Sequence, residues 1–211
     1  MFITFEGGEG AGKSTLSKKV CAELKKNHEV LLTREPGGTA FGEEVRGLLL
    51  HHRHGMQVGA RAELFLFLAA RAQHVEEVIL PALKNGKLVL CDRFSASTIA
   101  YQGAGRGLGL EYVKACDALA VSALIEANAL PDLTFFVDVE PEVGLLRVGS
   151  RSDKKDHIEE EALSFHKKVR DAFVLLAKDP QNKVIVLDGH LAVEDLFLQA
   201  MKYIQSTWPK L

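Results

Sequence analysis

Five short apolar runs punctuate the chain, at Phe2–Phe5, Val30–Thr33, Leu88–Cys91, Thr134–Val139 and Val184–Leu187. Each is rich in Val, Ile, Leu and Phe and too short for a helix. Their near-continuous apolarity predicts strands buried on both faces. Between them, helical periodicity and helix-forming composition predict helices over Lys13–Lys26, Phe41–Leu50, Ala60–Lys84, Leu110–Asn128, Glu142–Val148, Glu159–Lys178 and Ala192–Thr207. Strands separated by helices imply an α/β fold with a five-stranded parallel sheet covered on both faces. No repeat, low-complexity tract or linker interrupts the pattern. Ser150–Asp156, "SRSDKKD", is a charged break between two helices. It predicts a short mobile lid over about residues 147–158.

The chain's 211 residues suit a single domain spanning residues 1–211, and about half of them are apolar. A net charge of −2 with both signs interspersed gives no basic face, so no nucleic-acid partner is expected. Cys21, Cys91 and Cys116 lie far apart without CxxC spacing, which argues against a disulfide frame or a zinc site and for a reducing cytoplasm. No signal-peptide pattern opens the chain. The longest apolar candidate, Leu64–Ala70, is cut by Arg71 and falls short of a membrane span.

The first strand runs into "EGGEGAGKST". Gly7, Gly12, Lys13 and Ser14 fit G-x-x-x-x-G-K-[ST], with a strand before and a helix after. Glycines let backbone N–H groups approach phosphate oxygens, and the following helix adds partial positive charge. Gly7, Gly8, Glu9, Gly10, Ala11, Gly12, Lys13, Ser14 and Thr15 are therefore the expected ATP-binding loop. Lys13 is suited to the β/γ-phosphates and the Ser14 hydroxyl to Mg²⁺. Such a loop serves GTP switches, ATP-driven assemblies and kinases. The D-x-x-G and N-K-x-D motifs of GTPases are absent.

Two further segments end strands: "REPGGT", Arg34–Thr39, and "CDRF", Cys91–Phe94. Ligands of open parallel sheets gather at the carboxyl ends of strands, so both segments point toward the loop's ligand. Asp92 occupies the usual position of an acid that holds Mg²⁺ directly or through water. Arg93 offers a fork suited to a phosphate, with Arg34 a second candidate.

In order, "FEGGEGAGKST", "TREPGGT", "FLFLAAR", "CDRFSASTIAYQGAGRG" and "PDLTFFVDVEPEVGLLR", followed by the charged break and "VIVLDGH", closely resemble thymidylate kinases of the bacterial type. The resemblance implies a P-loop NTPase fold, a homodimer, and transfer of the ATP γ-phosphoryl group to dTMP, giving dTDP. It implies that Phe67 stacks on thymine and Arg71 bonds a base carbonyl. Thr98 and Gln102 match positions near the base, Tyr101 one that crowds the sugar, and Arg93 the arginine that holds the dTMP phosphate. Pro36 matches a proline that shapes the acceptor loop, its peptide isomer open. Glu9 matches a carboxylate that accepts a hydrogen bond from the sugar 3′-hydroxyl. This P-loop carries no arginine, so the catalytic countercharge falls to Arg151 in the lid, with Arg147 one turn earlier as a second candidate. Related lids often read Asp-Arg-Ile-Glu where this one reads "DHIE", Asp156–Glu159; His157 replaces an arginine, with Lys154 and Lys155 nearby. The attacking phosphate oxygen needs no general base, so Asp92 is assigned to the metal and to organising the site.

Other features are left out of the site. "HHRH", His51–His54, resembles a metal cluster but suits a helix end without nearby Cys or carboxylate. Arg106 suits either an ordering role or a flexible glycine-rich turn. His74 and His166 have no visible partner, and Trp208 reads as a packing anchor. Another P-loop nucleotide kinase, or a regulatory nucleotide-binding protein without an acceptor, are the competing readings.

Overall fold

The computed structural model describes residues 1–50, 57–150 and 156–208. The five apolar runs form β1 (Phe2–Glu6), β2 (Val30–Arg34), β3 (Leu88–Asp92), β4 (Leu133–Asp138) and β5 (Val184–Asp188). They pair in the order β2-β3-β1-β4-β5, every pair parallel. β1 is buried along its whole length, as a central strand covered on both faces must be. Its register sets Phe5 beside Asp92 of β3 and Glu6 beside Phe136 of β4. Asp92 in turn lies beside Arg34 of β2. The carboxyl ends of β1, β2 and β3 therefore lie together.

Helix α1 (Lys13–Leu24) follows the glycine loop directly, and α10 (Val193–Thr207) packs beside it. Phe5, Leu16, Val20, Leu90, Phe135, Leu196 and Ile204 form the core against these two helices. Trp208 packs on this cluster, with its ring 5.4 Å from His28. Two other clusters centre on Phe136 stacked on Phe173, with ring centroids 5.1 Å apart, and on Phe2 edge-on to Phe94. Cys21, Cys91 and Cys116 are free thiols. No helix among the described residues is long and apolar enough to cross a membrane.

The helices depart from expectation at three places. Ala60–Lys84 is α3 (Ala60–His74), a π-helical turn at Val75–Ile79, and α4 (Leu80–Lys84). Leu110–Asn128 divides into α6 (Leu110–Ala120) and α7 (Ser122–Glu126), because buried Val121 turns inward onto the Phe2–Phe94 cluster. The helix expected from Glu159 begins at Leu163 as α9 (Leu163–Ala177). Ahead of it the Asp156 carboxylate accepts from the Ile158 and Glu159 amides at 2.9 Å and bends the chain into a turn.

The glycine-rich stretch after "CDRF" is helical. It comprises α5 (Ser95–Thr98) and a π-helical segment, Ile99–Gly105, closed by Arg106 N–H donating to Tyr101 O at 2.8 Å. Gly105 serves close packing: a Cβ there would lie 2.6 Å from the Phe165 ring. The remaining helices are α2 (Ala40–Leu50) and α8 (Pro141–Gly149).

Candidate active site

The glycine loop is held from above by α8. A Cβ on Gly10 would collide with the carbonyl of Gly144, and one on Gly144 with the carbonyl of Glu9. The two backbones touch only because both positions are glycine. Lys13 begins α1 and folds back, donating to Gly8 O at 2.6 Å. Burial, and then Arg93, lower its pKa to about 8, with Glu9, Asp92 and Glu6 pulling the other way. The Ser14 hydroxyl donates to an Asp92 carboxylate oxygen. β1 and β3 thus bring a hydroxyl and a carboxylate, 78 residues apart in sequence, into contact beside Lys13.

At the end of β3, the Arg93 guanidinium donates to Gly7 O at 3.0 Å, to Ser97 Oγ at 3.2 Å and to Glu9 Oε1. It lies 5.0 Å from the Tyr101 ring, whose hydroxyl also donates to Glu9 Oε1, at 2.7 Å. Burial alone would raise the Glu9 pKa, but Arg93, Lys13 and the Tyr101 hydroxyl outweigh it and hold the carboxyl at about 2. Glu9 is therefore an anion across the working pH range, set against two cations.

Phe67 and Arg71 share one face of α3 and both line the cleft. Arg71 is almost fully buried. It donates through Nε to Glu35 at 2.7 Å and through Nη1 to Asp117, with its guanidinium 5.0 Å from the Phe94 ring. Gln102 donates to Glu63 at 2.8 Å, and Thr98 is buried beside it. The Glu35–Pro36 peptide bond is cis, and Arg46 donates to Pro36 O at 2.9 Å. Arg34 is more than half exposed and pairs with Glu43 at 3.1 Å.

These groups surround one cleft of about 700 Å³. Among the expected site residues, Glu9, Gly10, Ala11, Gly12, Lys13, Ser14 and Thr15 line it from the loop. Arg34, Pro36, Phe67, Arg71, Asp92, Arg93, Thr98, Tyr101 and Gln102 line it from the other strand ends and helices. Gly7 and Gly8 contribute the carbonyls that hold Arg93 and Lys13. Arg147 stands apart, donating to Gly189 O at 2.9 Å in the turn after β5. Arg151, Lys154, Lys155 and His51–His54 lie outside the described residues.

Several side chains are anchored by partners far away in sequence. His74 is fully buried; its Nδ1 faces Glu35 at 3.0 Å and its Nε2 faces Thr33 Oγ1 at 2.7 Å. Since a carboxylate only accepts, Nδ1 carries the proton. Glu35, His74 and Cys91 approach one another as metal ligands would. Their ligating atoms are already engaged, by Arg71, by Thr33 and by Arg93 O. Arg106 orders its loop, pairing with Glu63 and Glu161 and lying 4.9 Å from the Phe165 ring. Glu35 stood in a quoted motif and Glu6 ended an apolar run, which was the available signal for each.

A sequence profile of the thymidylate kinase family matches residues 5–199. The chain belongs to this family. Thymidylate kinases of Protochlamydia amoebophila and Gloeobacter violaceus are 45% and 46% identical to it. The first alignment covers 98% of this chain and 93% of the relative, the second 92% and 89%. The crystal structure of thymidylate kinase from Ehrlichia chaffeensis is 34% identical and superposes with a TM-score of 0.76, covering 97% of this chain and 98% of that one. The thymidylate kinase match thus takes in the end of β1, the glycine loop, both later strand-end segments and the first half of α10.

Proposed function

We propose that this chain transfers the γ-phosphoryl group of ATP to dTMP, giving ADP and dTDP for dTTP synthesis. Family membership supports the reaction. The observation that carries the site assignment is the juxtaposition of Glu9 and Arg93. An acid inside the phosphate loop is paired with a cation from the neighbouring strand end, both facing the one cleft that Lys13 also lines. Arg93 receives the acceptor phosphate, exchanging part of its hold on Glu9 for the new anion. Glu9 then takes the sugar 3′-hydroxyl, and Phe67 and Arg71 take the base, with Thr98, Tyr101 and Gln102 closing the pocket around it.

On the donor side, Lys13 leaves Gly8 O for the β/γ-phosphates, and the loop amides with Thr15 and the α1 N-terminus hold the rest. Arg147 serves the donor end, and Arg151 supplies further countercharge from the lid. Ser14 and Asp92 fit Mg²⁺: they are hard oxygen donors, already in contact, beside the triphosphate loop. When bound, the ion would supply neutralisation of phosphate charge. The protein's contribution is position and countercharge around an acceptor oxygen that is already ionised.

A homodimer is part of the proposal. Phe41 and Leu48 on α2, Phe65 on α3, and Tyr112 and Leu119 on α6 are large apolar side chains left exposed on neighbouring helices, a pattern that marks an interface. A cytoplasmic location and a single kinase domain complete it.

The reading is tested by ADP formation from ATP with a panel of nucleosides and monophosphates, each against a control without acceptor. Strong dependence on dTMP supports it, with dUMP a weaker substrate because one methyl is worth only about 1–3 kcal/mol. Dependence on a nucleoside, or hydrolysis indifferent to any acceptor, contradicts it.

A further inference from the structure

Arg93 enters the cleft from a strained backbone. Its φ is +72°, a left-handed conformation that a residue with a Cβ keeps only when its surroundings impose it. The turn is pinned on both sides. Arg93 N–H donates to Phe5 O at 2.9 Å, and Phe94 N–H donates to Glu6 Oε1 at 2.8 Å. The second Glu6 oxygen accepts from the Ser97 hydroxyl, and Ser97 Oγ in turn accepts from Arg93 Nη1 at 3.2 Å. One carboxylate therefore grips both the backbone of the turn and, through one hydroxyl, the guanidinium it projects.

Glu6 is 1% exposed and does not line the nucleotide cleft; it faces a separate cavity of about 270 Å³ with Thr4, Thr134 and Asp117. It cannot touch a nucleotide in the cleft, so any role in the reaction passes through other residues. We infer that Glu6, acting through Ser97, is a positioning residue that holds the Arg93 guanidinium in register for the acceptor phosphate, an inference that rests on the proposed role of Arg93. Two points favour this over a packing role. An apolar side chain would fill the same space without desolvating a carboxylate. And ionised Glu6 accepts the hydrogen bond from the Ser97 O–H, which leaves the hydroxyl's lone pairs to Arg93. Arg93 and Arg71 favour the ionised form of Glu6, Lys13 also interacts with it and Lys114 lines the same cavity, and burial nonetheless raises its pKa to about 7.

Glu6→Gln and Ser97→Ala test the inference. The glutamine keeps an acceptor for the Phe94 amide but turns an N–H toward Ser97, which then competes with Arg93. Both variants are expected to raise the dTMP dissociation constant about 10-fold or more while ATP affinity stays within about twofold, and to broaden the Arg93 side-chain ¹⁵N resonances, with both proteins folded. Unchanged Arg93 resonances and unchanged dTMP affinity in both variants overturn it, as does an equal loss of ATP affinity. Should the wild-type protein form no ADP with dTMP, the proposed function fails, and the Arg93 resonances still decide this inference.

Discussion

Glu9 is an acid inside a glycine loop, and its neighbours account for it: the Arg93 guanidinium and the Tyr101 hydroxyl both donate to its Oε1. Glu9→Ala is expected to lower kcat/KM for dTMP by roughly 10- to 100-fold, the cost of a charge-assisted hydrogen bond, with ATP binding little changed. Titration calorimetry with each nucleotide separately checks this, and an equal loss of ATP affinity with unchanged dTMP kinetics contradicts it. Glu6 behaves in the opposite sense. Burial raises it from 4.5 to about 7 against the opposing pull of Ser97, Arg93 and the Phe94 amide. Its contribution to stability is full below the unfolded value of 4.5 and is lost as pH rises to about 7. Above that, the folded chain bears a cost of about 3 kcal/mol. Relative to the wild type, Glu6→Gln should therefore gain stability on going from pH 4.5 to pH 8, by roughly 6–12 °C in Tm, while losing dTMP affinity. A Tm difference independent of pH would count against a costly ionised Glu6.

Two contacts between elements carry the site's geometry. The first is the glycine pair that lets α8 sit on the phosphate loop. Gly144→Ala drives a methyl into the Glu9 carbonyl, so both ATP and dTMP KM should rise and kcat should fall; wild-type kinetics in this variant would show that the loop tolerates the shift. The second is the buried chain Thr33–His74–Glu35–Arg71–Asp117, which ties β2, α3 and α6 together. Asp117→Ala leaves Arg71 with one carboxylate and should cost about 3 kcal/mol, read as a Tm lower by roughly 6–12 °C. At this scale the strand bounds were legible to within a residue from their apolar runs, but burial on both faces holds only for the central strands: β2 and β5, at the sheet edges, are largely half-exposed. The π-helical run at Ile99–Gly105 was not legible. Its glycines read as a flexible turn, whereas Gly105 is there to admit the Phe165 ring. Arg71 was expected in the cleft from the family resemblance, and it lines the cleft. Its anchors were not, since a buried ion pair between residues 36 and 46 positions apart leaves no local pattern.

For the whole molecule, strand order does what no single segment can. Placing β1 between β3 and β4 sets the phosphate loop beside the ends of β3 and β2, so "GEGAGKST", "REPGGT" and "CDRF" converge on one cleft. That convergence follows from a general rule for open parallel sheets, which is why the outline of the site could be read from sequence. Arg151, expected from the sequence to lie in a lid, falls outside the described residues. The apolar side chains on α2, α3 and α6 belong to this scale too. Phe65→Asp should convert a dimer to a monomer in sedimentation equilibrium, and a wild-type monomer would refute the proposed interface. The central claim is that the cleft joins a triphosphate donor to dTMP. Its most direct test is to supply γ-³²P-ATP, Mg²⁺ and dTMP and follow where the label goes. The account predicts label in dTDP, one equivalent per ADP formed and none without dTMP. Label appearing as inorganic phosphate at the same rate with or without dTMP would contradict it.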